Sequence, residues 1–170
     1  MDERFTIGLL VTNRHGVLYR IAGLYNKRGY NIDTLSVGET EDPNLSRMTI
    51  VSSGDHFIQT QMIRQLKKLV DVKAAVLIEG DGSVSVEHLL IKLETGRVKN
   101  SEIIELINRF GGKVLDMGTD FMLADVTGSP ESIQEFIEEC KPIGIYELCR
   151  SGALALSGGY KTILDESKSQ

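Results

Sequence analysis

The first apolar positions of the chain alternate. Phe5, Ile7, Leu9 and Val11 are separated by single residues, the period of a strand with one buried face. The period then lengthens: Leu18, Ile21, Ala22 and Tyr25 fall at i, i+3, i+4 and i+7, one stripe of a helix. Lys27 and Arg28 suit the last turn of that helix, where cations meet the negative end of its dipole, and Gly29 suits a left-handed residue just after it. Asn31 to Gly38 reads as the next strand. The polar, Pro-containing stretch from Glu39 to Asn44 predicts an exposed hairpin loop, and Arg47 to Ser52 predicts the returning strand. Asp55 is placed to cap a helix from His56 to about Leu69, with Ile58, Met62, Leu66 and Leu69 inward. Val72, Ala74, Val76 and Ile78 alternate again. The predicted order is β-α-β-β-α-β, the ferredoxin-like arrangement.

Gly80-Asp81-Gly82-Ser83 marks a boundary, and the plan repeats after it. Leu89, Ile91 and Leu93 alternate. Asn100 or Ser101 is expected to cap a helix carrying Ile103, Ile107 and Phe110, and Gly111-Gly112 ends it. Lys113 to Gly118 and Phe121 to Thr127 predict a strand pair. Ser129 followed by Pro130 is a strong helix start, with Ile133, Phe136, Ile137 and Cys140 as its apolar stripe. Ile143 to Cys149 predicts the last strand. The expectation is an α+β chain of two tandem ferredoxin-like βαββαβ domains, residues 1–79 and 83–159, followed by a flexible polar tail over 160–170.

Helices cover one face of such a sheet. The other face of the first unit is expected to carry Leu10, Val51, Ala75 and Leu77, and an apolar face of that kind calls for a cover, from the second domain, a second subunit, or both.

Composition narrows the function classes. Hydrophobic residues make up 41% of the chain, enough for packed cores. A net charge of −5 without a basic, aromatic-laced stripe argues against nucleic acid. No run of 18 apolar residues offers a membrane span, and Met1-Asp2-Glu3-Arg4 lacks the layout of a signal peptide, so the expected location is cytoplasmic. In that compartment Cys140 and Cys149 read as small core hydrophobes or spare thiols.

Few patterns carry chemistry. His15, His56 and His88 are far apart and at no metal-ligand spacing, and no metal site is expected. There is no phosphate loop and no nucleophile elbow, and no catalytic residue is assigned. Glu39, Glu41 and Asp42 are read as a solvated hairpin in preference to a divalent-ion site. The turn from Asn13 to Leu18 remains. A helix beginning after it presents unpaired N–H groups and the positive end of its dipole, which bind a carboxylate without a basic side chain. Gly16 allows close approach, Asn13 offers a donor and an acceptor to a zwitterion, and Val17 and Leu18 are placed to line an apolar pocket. The competing reading is structural, with Asn13 in an Asx turn and Gly16 relieving the backbone.

The segments Leu10-Val11-Thr12-Asn13-Arg14-His15-Gly16-Val17-Leu18-Tyr19-Arg20-Ile21 and Arg28-Gly29-Tyr30-Asn31-Ile32-Asp33-Thr34-Leu35 resemble an ACT domain. With Asp42-Pro43-Asn44-Leu45-Ser46-Arg47-Met48-Thr49-Ile50 and Gln65-Leu66-Lys67-Lys68-Leu69-Val70-Asp71-Val72, the resemblance narrows to the small regulatory subunits of acetolactate synthase. Leu89-Leu90-Ile91-Lys92 and Arg150-Ser151-Gly152 resemble that family's C-terminal domain. The resemblance implies a non-catalytic subunit that activates a large catalytic subunit and confers feedback inhibition by valine or another branched-chain amino acid. It implies no cofactor in this chain, and thiamine diphosphate, Mg and FAD in the catalytic partner. It further implies a homodimer formed through the ACT domains, with Asn13, Gly16, Val17 and Leu18 of one subunit facing Asn31 and Ile32 of the other. Family members often carry Glu where Thr12 stands and Pro or Ser where His15 stands. A stand-alone tandem-ACT amino-acid sensor is the alternative. An acylphosphatase-like enzyme, suggested only by Arg14 and Asn13, lacks the wider glycine loop.

Overall fold

The computed structural model describes residues 3–80 and 82–169. Met1, Asp2, Asp81 and Gln170 lie outside the described residues, and with them part of the Gly80–Ser83 boundary. The chain forms two compact units. The first runs from the N-terminal strand through Val84 and takes up the chain again from Ala153; the second is Ser85–Gly152.

The first unit contains β1 (Glu3–Thr12), α1 (Val17–Arg28), β2 (Thr34–Glu39), β3 (Leu45–Gly54), α2 (His56–Leu66) and β4 (Val72–Leu77). The strands form one antiparallel sheet in the order β2-β3-β1-β4. Its register decides which side chains meet the helices. Ile7 lies opposite Ile50 and Leu77, and Leu9 opposite Met48 and Ala75. Directly opposed residues share a face, so these six side chains look the same way and pack with Ile21, Tyr25, Met62 and Leu66. Burial pushes the Tyr25 phenol up to about 12, against the opposing pull of the Ser52 hydroxyl.

This register corrects the expected open face. Ala75 and Leu77 belong to the helix side, whereas Ala74, Val76 and Ile78 alternate onto the other side with Leu10. That other side is covered in part by the chain's own end. Beyond Gly152 the chain forms β9 (Leu154–Leu156) and α5 (Ile163–Ser169), and Ala155 and Ile163 pack on Val76 and Ile78. The segment expected to be a flexible tail is therefore a strap on the first sheet. A reciprocal cap starts α5: Thr162 N–H donates to Asp165 Oδ2 at 3.1 Å, and Asp165 N–H returns to Thr162 Oγ1 at 3.4 Å.

The second unit contains β5 (Val84–Glu94), α3 (Asn100–Arg109), β6 (Lys113–Met117), β7 (Phe121–Gly128), α4 (Pro130–Cys140) and β8 (Ile145–Arg150). Its sheet runs β6-β7-β5-β8, so the βαββαβ plan recurs and the fold class is α+β, as the hydrophobic pattern predicts. Leu89, Ile91, Leu93, Ile103, Ile107 and Phe136 form the centre of its core. Cys140 belongs to this core, where burial pushes its thiol up to about 12; Cys149 is exposed. Ser129 caps α4 by accepting from Ser132 N–H at 3.2 Å. Lys99, not Asn100 or Ser101, occupies the cap position of α3, and it makes no side-chain cap bond. Helix α2 stops at Leu66, short of Leu69, because Lys68 and Leu69 close i→i+3 turns that bring Asp71 back toward β1.

Glu87 and Arg150 tie this unit together. Arg150 donates to Glu87 Oε1 at 3.0 Å and Oε2 at 2.5 Å, and to Gln134 Oε1 of α4 at 3.0 Å. The Glu87 side chain is 2% exposed and that of Arg150 31%. Loss of either partner is therefore not equivalent. Arg150→Met strands a buried carboxylate and is expected to cost about 3–5 kcal/mol, whereas Glu87→Gln leaves a guanidinium that reaches water and costs less. Urea denaturation of the two variants checks this, and equal losses would contradict it.

Candidate functional site

The turn from Asn13 to Gly16 joins β1 to α1. Gly16 occupies the N-cap position at φ 82°, ψ −3°, a left-handed conformation that costs a side-chain-bearing residue about 1–2 kcal/mol. No side chain caps the helix, and its first turn contains no acidic residue. Val17 N–H donates to Arg14 O at 3.4 Å, while the amides that follow it in the first turn meet no side-chain acceptor and lie at the positive end of the dipole. A Cβ at position 16 would lie 3.1 Å from Arg20 Nη1, so glycine also leaves room for that guanidinium.

Asn13 is held on three sides. Its N–H donates to Asn44 O at 2.7 Å, and its Nδ2 donates to Pro43 O at 3.0 Å and Glu39 Oε1 at 2.9 Å. The turn is therefore fastened to the β2–β3 hairpin, and the Asn13 carbonyl oxygen is the part of the amide not committed to these bonds. The hairpin uses its own carboxylates in the same way. Asp42 accepts from the N–H of Asn44 and then from its side-chain amide, which hold its carboxyl below the usual range. Among the described residues no group of three or more His, Cys, Asp or Glu side chains is placed to hold a metal ion, and no helix is long and apolar enough to cross a membrane.

The predicted site residues divide into two groups. Asn13, Gly16, Val17 and Leu18 sit at the N-terminal end of α1, while Asn31 and Ile32 follow its C-terminal end. Twelve residues of helix separate the groups by about 18 Å, so one chain does not bring them together. Val17 departs from its expected role. Its side chain is 3% exposed and belongs to the core, leaving Leu18, at 42%, as the accessible aliphatic group. At the other end, Asn31 Nδ2 donates to Asp33 Oδ1 at 2.8 Å, and Ile32 packs half-buried against the core. A pocket of about 260 Å³ opens near that end, lined by Arg28, Tyr30, Phe57, Gln61, Met62 and Gln65; none of the six predicted residues lines it.

Glu39 and Asp71 were not among the predicted site residues. Hairpin pairing brings Glu39 to Asn13, a long-range consequence of register that local spacing does not show. Asp71 accepts from Arg20 Nε at 2.6 Å and from Thr12 Oγ1 at 3.1 Å, while its backbone carbonyl accepts from Thr12 N–H at 2.9 Å. This clamp gives Thr12 a role: it supplies a donor to Asp71, where a Glu would bring a second acceptor.

The Arg20 hydrogen bond, ahead of that from Thr12, holds the Asp71 carboxyl below the usual aspartate range. A depressed value contributes stability in full above the unfolded value, and the contribution drains away as pH falls through the folded value. Thermal denaturation of wild type and Asp71→Asn is therefore expected to show a constant difference down to about pH 4, the ordinary aspartate range, and a shrinking one below it. A difference that persisted into strong acid would remove Asp71 as its source.

The comparisons with known proteins agree with one another. Residues 7–74 match the model of the small-subunit-like ACT domain of AHAS, and residues 86–159 match the model for the small subunit of acetolactate synthase. The chain is 42% identical over 159 residues to a protein of Archaeoglobus fulgidus named "Probable acetolactate synthase small subunit", spanning 93% of this chain and 99% of that one. It is 39% identical over 158 residues to the acetolactate synthase small subunit of Mycolicibacterium smegmatis, covering 93% of each. The crystal structure of the acetolactate synthase small subunit from Thermotoga maritima superposes with a TM-score of 0.86 at 31% identity, covering 94% of this chain and 99% of that one. An acylphosphatase-like reading is set aside by these matches, and the chain belongs to the family of acetolactate synthase small subunits.

Proposed function

We propose that this chain is the non-catalytic regulatory subunit of an acetolactate synthase. It activates a large subunit that carries thiamine diphosphate, Mg and FAD, and it confers feedback inhibition by valine or another branched-chain amino acid. The observation that carries the ligand reading is the entry to α1. A left-handed glycine leads into a helix start that no side chain caps, which leaves amide donors and a positive dipole for a carboxylate. The uncommitted Asn13 oxygen and Glu39 supply acceptors for the ammonium group, and Leu18 supplies an aliphatic wall.

The separation of the two groups along α1 supports a site shared between copies. In a homodimer that sets the N-terminal end of α1 against the partner copy's Asn31 and Ile32, both groups are used twice. The ligand then favours the interface geometry that completes the site, and it inhibits by binding one regulatory state better than the other. A stand-alone sensor would bind the amino acid equally well but show no co-purification with a thiamine-dependent subunit.

In a reconstituted assay, Asn13→Ala and Gly16→Asp are expected to weaken valine inhibition while leaving activation largely intact. The aspartate at position 16 acts twice: it strains a positive-φ position, and it places a carboxylate where the ligand's own carboxylate would bind. Full valine sensitivity in both variants would refute the site. Calorimetric titration of the full chain with valine, leucine and isoleucine is expected to rank the three by fit to the Leu18 wall, and the absence of heat with all three would refute amino-acid binding.

A further inference from the structure

The strap formed by the end of the chain is fastened next to the Asn13 turn. Strand β3 carries both attachments. At its start, Asn44 and Pro43 accept from Asn13, Leu45 lies opposite Thr12, and Ser46 opposite Val11. The next residue, Arg47, lies opposite Leu10 and points to the face that the strap covers. Its guanidinium crosses β1 over Gly8, where a Cβ would stand only 2.6 Å from Nη2. It donates to Ala155 O of the strap at 3.3 Å, and Glu166 of α5 attracts it. Ser157 Oγ donates to Glu166 Oε2 at 2.8 Å, which fixes that carboxylate within the strap. From Asn44 to Arg47 is three residues of strand, about 10 Å.

The Arg47 attachment is the marginal one. A single long hydrogen bond holds a partly buried cation, and its Nε is buried without a partner among the described residues. Desolvation lowers the pKa of this guanidinium, so it is held in the fold at a cost. Among the described residues, the buried apolar contacts of the strap are those of Ala155 and Ile163 with Val76 and Ile78, and β9 also pairs with β5.

We propose that residues 153–169 are the element through which occupancy of the Asn13 turn is passed on. The proposal rests on the reading of that turn as an amino-acid site. A ligand ammonium group that draws Glu39 and the Asn13 amide toward itself pulls on Pro43 and Asn44. The strain reaches Arg47 along the strand, the bond to Ala155 opens, and the strap loosens from Val76 and Ile78. Ligand binding at one face of the first unit is thereby read out at its opposite face.

The test uses the full chain with its catalytic subunit and valine as the probe. Hydrogen exchange is followed in residues 13–18 and 153–169, with and without valine, in wild type, Arg47→Gln and Ile163→Ser. In wild type, valine is expected to slow exchange in the turn and speed it in the strap. In both variants the strap exchanges fast from the outset, calorimetric valine binding persists, and the valine concentration for half inhibition moves by at least about 5-fold, the low end of ordinary allosteric coupling. Ile163→Ser loosens the strap without touching β3, so it decides the matter if Arg47→Gln fails to fold. Valine protection of the turn with an unchanged strap, or a full valine response in Ile163→Ser, overturns the coupling while leaving the amino-acid site standing. Absence of valine, leucine and isoleucine binding in wild type overturns both.

Discussion

The register of β1 against its two neighbours is the constraint on which the first unit depends. Leu9 opposite Met48 and Ala75 puts one apolar set under the helices. The same pairing sends Leu10, Ala74 and Val76 to the other side, brings Asn44 to Asn13, and sets Arg47 across Gly8. A slip of one residue would exchange the two faces and separate the turn from its hairpin. Core, Asn13 turn and strap are therefore three results of one strand pairing.

Within that frame α1 acts as a spacer as much as a core element. Ile21 and Tyr25 fix it to the sheet, while its ends hold chemically different groups: a start without a side-chain cap and Leu18 at one end, Asn31 and Ile32 beyond the other. Glycines bound it on both sides, Gly16 at φ 82° and Gly29 at φ 70°, so neither end carries a side chain over its backbone. Under the proposed reading, the separation of about 18 Å between these groups fits two copies related by a two-fold axis, in which each helix would contribute its start to one site and its finish to the other.

Much of this was legible in local pattern. Alternation in β1, the helical period ahead of Gly29, and Ser129-Pro130 at the head of α4 all rest on neighbours in the chain, and each element formed where its period placed it, although α1 buries Val17, Ile21 and Tyr25 and leaves Leu18 and Ala22 of the expected stripe exposed. The face of β4 was not legible. Val72, Ala74, Val76 and Ile78 alternate, but Ala75 and Leu77 between them are apolar too, and a strand with apolar residues on both sides does not say which set faces the helices. The strap was missed for a related reason. Ile163 and Leu164 stand among Lys161, Asp165, Glu166 and Lys168, too few apolar residues to show a stripe, and the partners of Ile163, Val76 and Ile78, lie far back in the chain. The reciprocal cap at Thr162 and Asp165 was the one local signal available. At the site, Gly16 and Asn13 stood out as turn residues, whereas Glu39 and Asp71 reach the turn only through hairpin closure and the shortened end of α2.

The strap also makes the first unit discontinuous in sequence, and that has a consequence during synthesis. The β1–β4 sheet and its helices are complete by Val84, but Ala155 and Ile163 are made only after the whole second unit. At the usual pace of translation that interval is on the order of ten seconds. For that time Val76 and Ile78 of a nascent chain lack Ala155 and Ile163 as cover, long after the sheet beneath them has had time to fold. A newly made first unit is therefore at its most adhesive before Ala155 and Ile163 arrive, and the order of translation sets how long that exposure lasts.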